Sequence, residues 1–190
     1  TLLYAFAFRP SPQSMQTFAP GLMWMIFLFV SVLALHRSHS LEKEFDAIGL
    51  ILSAPVDRSL IFLSKWVSGF LFLLIAQIII VPLFWLFLDL DIPEQIGLWL
   101  LIFIMTDLGI AAIGSLVAGI TLRARMSEVL LPILLFPLVS PLLIAAVKST
   151  DAILMGLPFE EWKIWAAIIF TFVIAFSVTG VLIFEYVSEE

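Results

Sequence analysis

The chain has 190 residues, 63% of them hydrophobic and 13% charged, with a mean hydropathy of +1.18. Soluble domains are about half apolar and a quarter charged, and a globule of this size has too little interior to hide so much apolar surface. A soluble enzyme, a nucleic-acid binder and a disordered tail are therefore excluded; 9 Lys and Arg against 15 Asp and Glu leave no basic surplus for phosphates, and the absence of Cys removes disulfides, thiolate metal sites and thiol catalysis. The composition is that of a membrane protein.

In chain order, residues 1–9 are apolar but far short of the ~20 needed to cross a bilayer. They also lack the basic start and small-residue cleavage site of a signal peptide. They read as the last turns of a first membrane helix; a short amphipathic segment is the alternative. Five long apolar stretches follow: about Phe18–Leu35 (entered through Pro10, Pro12 and Pro20), Trp66–Leu88, Ile96–Ile120, Val129–Val147 and Ile164–Phe184. Each reaches the length a spanning helix requires, and no alternation of polar and apolar residues competes as a barrel strand. With the first helix restored, the expectation is an all-α polytopic protein of six spans, one transmembrane domain over residues 1–190.

Orientation follows from the Lys/Arg bias of the connections. Arg37, Lys43, Arg58, Lys65, Arg123 and Arg125 fall on one face, against Arg9, Lys148 and Lys163 on the other, which also carries the acidic turn from Asp89 to Glu94. The bias places 37–65, 121–128 and Glu185 to Glu190 in the cytoplasm, and so both ends of the six-span chain.

The segment after the first full span carries its own pattern. Ser40 can cap a helix whose first turns hold Glu42, Glu44 and Asp46, favoured there by the helix dipole. Phe45, Ile48 and Leu52 recur on one face with Ile51 beside them, and Pro55 ends the pattern. This predicts an amphipathic helix over 41–54, flat on the cytoplasmic surface. On periodicity alone it reads as a surface helix tidying a loop.

Glu42 and Glu44, the amphipathic turns, Pro55 and then Lys65 at the mouth of the next span resemble the coupling-helix region of type-2 ABC exporter permeases. Residues 130–147 (LLPILLFPLVSPLLIAAV), then Asp151-Ala152 and Met155-Gly156-Leu157-Pro158, narrow the likeness. So do Leu108-Gly109 through Gly114 to Thr121 and the Arg123/Arg125 turn. Together they resemble the B-subunit permeases of the cytochrome c maturation ABC transporters, from about Ala19 onward. The resemblance implies a six-span type-2 permease fold in the bacterial inner membrane, its first span truncated here. Two permease chains would pair with two cytoplasmic ATPase subunits, beside a heme-handling subunit and a small single-span subunit. Heme would be handled as substrate, with no cofactor assigned to this chain and ATP held by the partner. Glu42, Glu44, Phe45, Ile48, Leu52, Pro55 and Lys65 would couple to the ATPase. The residues agree on one point: no Gly-x-x-x-x-Gly-Lys-Ser/Thr nucleotide loop occurs in the sequence.

Polar residues within the spans complete the candidates. Asp107 is an ionisable group in mid-span, where such groups are costly and by default functional. Two readings are open: a group facing a cavity or subunit interface, or a carboxyl bonded to a neighbour such as Thr106 or Ser115. Gln77 reads as interhelical glue. His36 and His39 share a helix face but flank Arg37 at a span end, where polar residues accumulate, so metal or heme ligation is the weaker reading. Pro132, Pro137 and Pro141 would bend one span, as a flexing helix at a dimer interface or as a static kink. Gly109, Gly114, Ser115 and Gly119 with Ala111, Ala112 and Ala118 form a small-residue surface suited to close helix packing. Trp85, Trp99, Trp162 and Trp165 read as interfacial anchors. Competing functions are a generic type-2 permease for another lipid-like or polymeric substrate, an intramembrane enzyme lacking any catalytic constellation, and an ion-coupled carrier resting on Asp107 alone.

Overall fold

A computed structural model describes residues 12–44, 57–88, 93–121 and 127–187. They form five α-helices: α1 (Pro12–Glu44), α2 (Arg58–Leu88), α3 (Ile96–Thr121), α4 (Ser127–Leu154) and α5 (Phe159–Val187). In lipid every backbone N–H and C=O must be satisfied within its own segment, so apolar runs of this length become helices. All five are long and apolar enough to cross a membrane. The expected five full spans are thus found, while residues 1–9, on which a sixth rests, lie outside the described residues.

The helices overrun the apolar runs that predict them. α1 continues without a break through His36 and Ser40 to Glu44. Ser40 is therefore a helix-interior residue and not the N-cap of a separate helix. The reason is local: Leu41, Glu42, Lys43 and Glu44 are good helix formers, and no Pro or Gly stands between Leu35 and Glu44. At 33 residues α1 is about 50 Å long at 1.5 Å per residue, so it extends well beyond a ~30 Å hydrocarbon core. α4 likewise continues through Lys148 and Asp151 to Leu154.

Gly156 closes α4 with a left-handed turn (φ 66°). The Leu157 N–H reaches the Ala152 carbonyl at 2.9 Å and the Gly156 N–H the Ile153 carbonyl at 3.1 Å, a Schellman pair that satisfies the last carbonyls. Pro158 then forces the chain out of the helix, and α5 starts with Glu160 and Glu161 in its first turn.

Side-chain pairs establish the arrangement. Trp85 of α2 stacks on Trp99 of α3, and Trp24 of α1 packs on Phe103 of α3 and bonds Thr150 of α4. At the other end Leu35 of α1 meets Gly114 of α3, and Phe62 of α2 meets Gly180 of α5. The helices therefore alternate in direction, and α3 touches the four others. The core runs along it through Phe103, Ile110 and Ile113, with Phe27, Leu135, Leu142 and Ile169 from its neighbours. The outward faces remain apolar, with Leu33, Ile78, Leu86, Ile133, Ile164 and Ile174 exposed as lipid-facing residues are.

Candidate functional site

The centre of the bundle is built on small residues. From Gly109 to Gly119 every residue of α3 is buried. Gly109 lies so close to α4 and α5 that an added Cβ would stand 2.7 Å from a Leu142 methyl and 3.4 Å from one of Val173. At Gly114 it would run into Leu35 of α1. An added Cβ at Gly69 of α2 would lie 3.6 Å from the Ala111 Cβ. The small-residue surface read from the sequence is thus the packing surface of the central span, as close helix approach requires.

Asp107 sits on this same helix, fully buried. Neither of its carboxyl oxygens has a hydrogen-bond partner among the described residues. The partners proposed from sequence do not reach it: the Thr106 hydroxyl donates to its own helix at the Ile102 carbonyl, 2.7 Å away. A buried carboxyl with neither charge nor hydrogen bond opposite is costly, so of the two readings the one that explains it as a satisfied structural carboxyl loses its support. Gln77 is also buried with its Nε2 unpartnered, so the role of interhelical glue finds no bond at that atom.

Toward the basic end, a cavity of about 440 Å³ opens between α1, α2 and α3. α1 presents Ser31, Ala34, Leu35 and Ser38 to it, spaced i, i+3, i+4 and i+7. α2 contributes Ser64, Lys65, Ser68, Gly69 and Phe72, and α3 contributes Ile110, Ala111, Ser115 and Ala118. The small side chains at several of these positions leave the space between the three helices unfilled. Lys65, assigned from sequence to ATPase coupling, stands in this wall and is the one charged side chain there among the described residues. The Ser31, Ser64 and Ser68 hydroxyls donate to the Phe27, Ile61 and Ser64 carbonyls of their own helices, at 2.6, 2.8 and 2.7 Å. These serines were not singled out in the sequence. The available signal was Ser64 and Ser68 one turn apart in an apolar run, and Ser31 and Ser38 two turns apart in another.

At the opposite end the tryptophans turn inward, while Phe87 and Phe159 stay exposed. Trp99 and Trp162, read as interfacial anchors, are 3% and 2% exposed, packed within the bundle; Trp85 and Trp165 are half-buried. Trp24, Phe103 and Trp99 form a continuous stack, with ring centroids 4.6 and 4.0 Å apart. The Trp24 indole N–H donates to the Thr150 hydroxyl at 3.0 Å, and the Trp66 N–H to the Leu108 carbonyl at 2.9 Å. These bonds tie α1 to α4 and α2 to α3.

The remaining candidates are dispersed. Pro132, Pro137 and Pro141 lie in α4, which stays helical through all three, so the helix is not broken there. Pro137 and Pro141 are exposed on its outer face and Pro132 is half-buried. Glu42 and Glu44 are in the last turn of α1, while Phe45, Ile48, Leu52 and Pro55 lie outside the described residues. Among the described residues no group of three or more metal-ligating side chains occurs, and His36 is half-buried within α1.

The family described as CcmB protein matches residues 1–186. The chain is also similar to proteins named heme exporter protein B. The one from Pseudomonas aeruginosa is 29% identical over 165 residues, 87% of this chain and 74% of that one. That from Rhodobacter capsulatus is 26% identical over 162 residues, 83% of this chain and 72% of its own length. That from Haemophilus influenzae is 24% identical over 157 residues, 83% and 71% of the two chains. A match that runs from the first residue to 186, on a bundle of membrane-spanning helices, makes the chain a member of the CcmB protein family.

Proposed function

We propose that the chain is the permease subunit of an ABC transporter in c-type cytochrome biogenesis, and that it couples ATP hydrolysis by a partner to heme export or to release of a heme-loaded chaperone. The observation that carries this reading is the alignment of most of the chain with proteins named heme exporter protein B. The partners would be a second copy of the chain, two cytoplasmic ATPase subunits, a heme-handling membrane subunit and a small single-span subunit. The complex would stand in the bacterial inner membrane, with six spans and both ends of the full-length chain inside.

Coupling would run through 41–54 and Lys65. Because Glu42 and Glu44 extend α1, a push on them would travel along one stiff helix to the Trp24–Thr150 contact, without a hinge at Ser40. Pro55 would decouple this segment from α2. Asp107 and the proline-bearing α4 would respond inside the membrane, as pathway or interface groups.

The test is Glu42→Lys with Glu44→Lys. The double variant reverses two charges at an ATPase-facing tip, while the described bundle lies elsewhere. It is expected at normal membrane levels, without its ATPase on purification and without mature c-type cytochromes. An intact complex with normal cytochrome maturation would sink the coupling role of this tip. Absence of any ATPase from the wild-type complex would sink the function itself.

A further inference from the structure

We propose that the cavity between α1, α2 and α3 binds an acidic phospholipid, with its phosphate at Lys65 and an acyl chain along the apolar wall beyond. The cavity is of ligand size, about 440 Å³ where small-molecule sites run ~300–1,000 Å³. Its wall is graded. Lys65 and the exposed Ser38, Ser64 and Ser68 stand at the basic end of the bundle, and Phe72 and Leu73 lie about 10–12 Å further along α2; Ile61 at the mouth and Ser31 deeper in are the exceptions to the grading. A ligand that fits this grading has a polar anionic head and an apolar body.

Depth agrees with a lipid head. The apolar part of α2, Ser59–Phe87, has 29 residues, about 43 Å, some 13 Å more than the ~30 Å hydrocarbon core. Lys65 is six residues, about 9 Å, from its beginning, and a lysine extends its stem toward the headgroups. On the orientation that the Lys/Arg bias predicts, this is the cytoplasmic leaflet, where anionic lipids meet basic pockets between helices. The hydroxyls of Ser64 and Ser68 can rotate from their helix carbonyls to a phosphate oxygen, since each carbonyl is also served by the backbone. The wall holds no His, Met or Tyr among the described residues, so the imidazole, thioether and phenolate ligands usual for heme iron are missing from it.

The full-length protein, purified in mild detergent and washed free of lipid, would be titrated with phosphatidylglycerol and with phosphatidylcholine of the same chains. Native mass spectrometry reads the bound fraction. Phosphatidylglycerol is expected to be retained about fivefold better, the worth of one lysine near anionic headgroups. Lys65→Gln should abolish the preference and Lys65→Arg should keep it. Should Lys65→Gln fail to accumulate, Ser64→Ala with Ser68→Ala is expected to weaken retention of both lipids, since both carry the phosphate oxygens that the hydroxyls would meet. Equal retention of the two lipids, a preference that survives Lys65→Gln, or retention untouched by the double serine variant overturns the proposal. Displacement of the lipid by equimolar glycerol phosphate would show a site for a free anion, and displacement by ferric protoporphyrin a site for cargo; either overturns it too.

Discussion

Asp107 shows how one residue can oppose the stability of its surroundings. It occupies a position where Ile110, Ile113 and Phe103 on the same helix are almost wholly buried, and it brings two carboxyl oxygens with no hydrogen-bond partner among the described residues. Replacing an unsatisfied buried polar group by an apolar one of similar shape is neutral or stabilising, by up to about 1–3 kcal/mol. Asp107→Leu should therefore hold or raise the melting temperature of the purified protein and its level in the membrane. If the carboxyl works in the cycle, as proposed, the same variant should sharply reduce cytochrome c maturation, and Asp107→Glu should restore part of it. A variant as active as the wild type would make Asp107 a tolerated defect. The glycines present the opposite case. Gly180 faces the fully buried Phe62 ring and Gly109 the buried Leu142, so the absence of a side chain is what allows these helices to touch.

Among the elements, α4 is the one whose sequence and structure diverge most in appearance. Three prolines in 28 residues predict a disrupted helix, yet it is helical from Ser127 to Leu154. Each proline removes one backbone hydrogen bond, but the segment carries Leu131, Leu135, Val139 and Leu142 on a fully buried stripe that holds it against its neighbours. Packing outweighs the lost bonds. Pro137 is exposed, so Pro137→Ala disturbs no core contact and restores a backbone bond. It should reach the membrane at normal levels, with thermal stability unchanged or higher. Reduced cytochrome c maturation is expected if the bend is used in the cycle, measured by heme staining of c-type cytochromes; wild-type maturation would leave the prolines as a static kink. α1 differs in the other direction: its sequence suggests a break at Ser40, and continuous helix propensity carries it on to Glu44.

For the whole molecule, the alternation of five helices puts Arg37, Arg58 and Lys65 at one end and Lys148 and Lys163 at the other, in agreement with the split read from the connections. Which end faces the cytoplasm is open to a labelling experiment, made simple by a chain without cysteine. Ser38 is exposed at the basic end and Met155 is 58% exposed at the other, whereas the nearby Ser149 is fully buried and would be a poor probe. With single cysteines at Ser38 and Met155, an impermeant thiol reagent on intact cells should label position 155 and spare 38. Labelling of 38 alone would invert the topology.

Composition and the length of each apolar run were sufficient for the class of protein, the five spans and their alternation, because a bilayer leaves the backbone no alternative to the helix. The small-residue surface of α3 was legible too, since close approach needs residues without bulk. The ends of the helices were not: in α1 the helix formers Leu41 to Glu44 carry the helix past the hydrocarbon, and in α4 burial of Ser149, Thr150 and Ile153 against neighbouring helices holds the last turns. Nor could the sequence place side chains between helices. That Trp99 and Trp162 turn inward, that Asp107 finds no partner among the described residues, and that Lys65 shares a wall with serines from α1 and α3 all depend on residues from helices far apart in the chain. Periodicity within one helix tells which residues share a face, but the neighbour that face meets is decided only when the bundle packs.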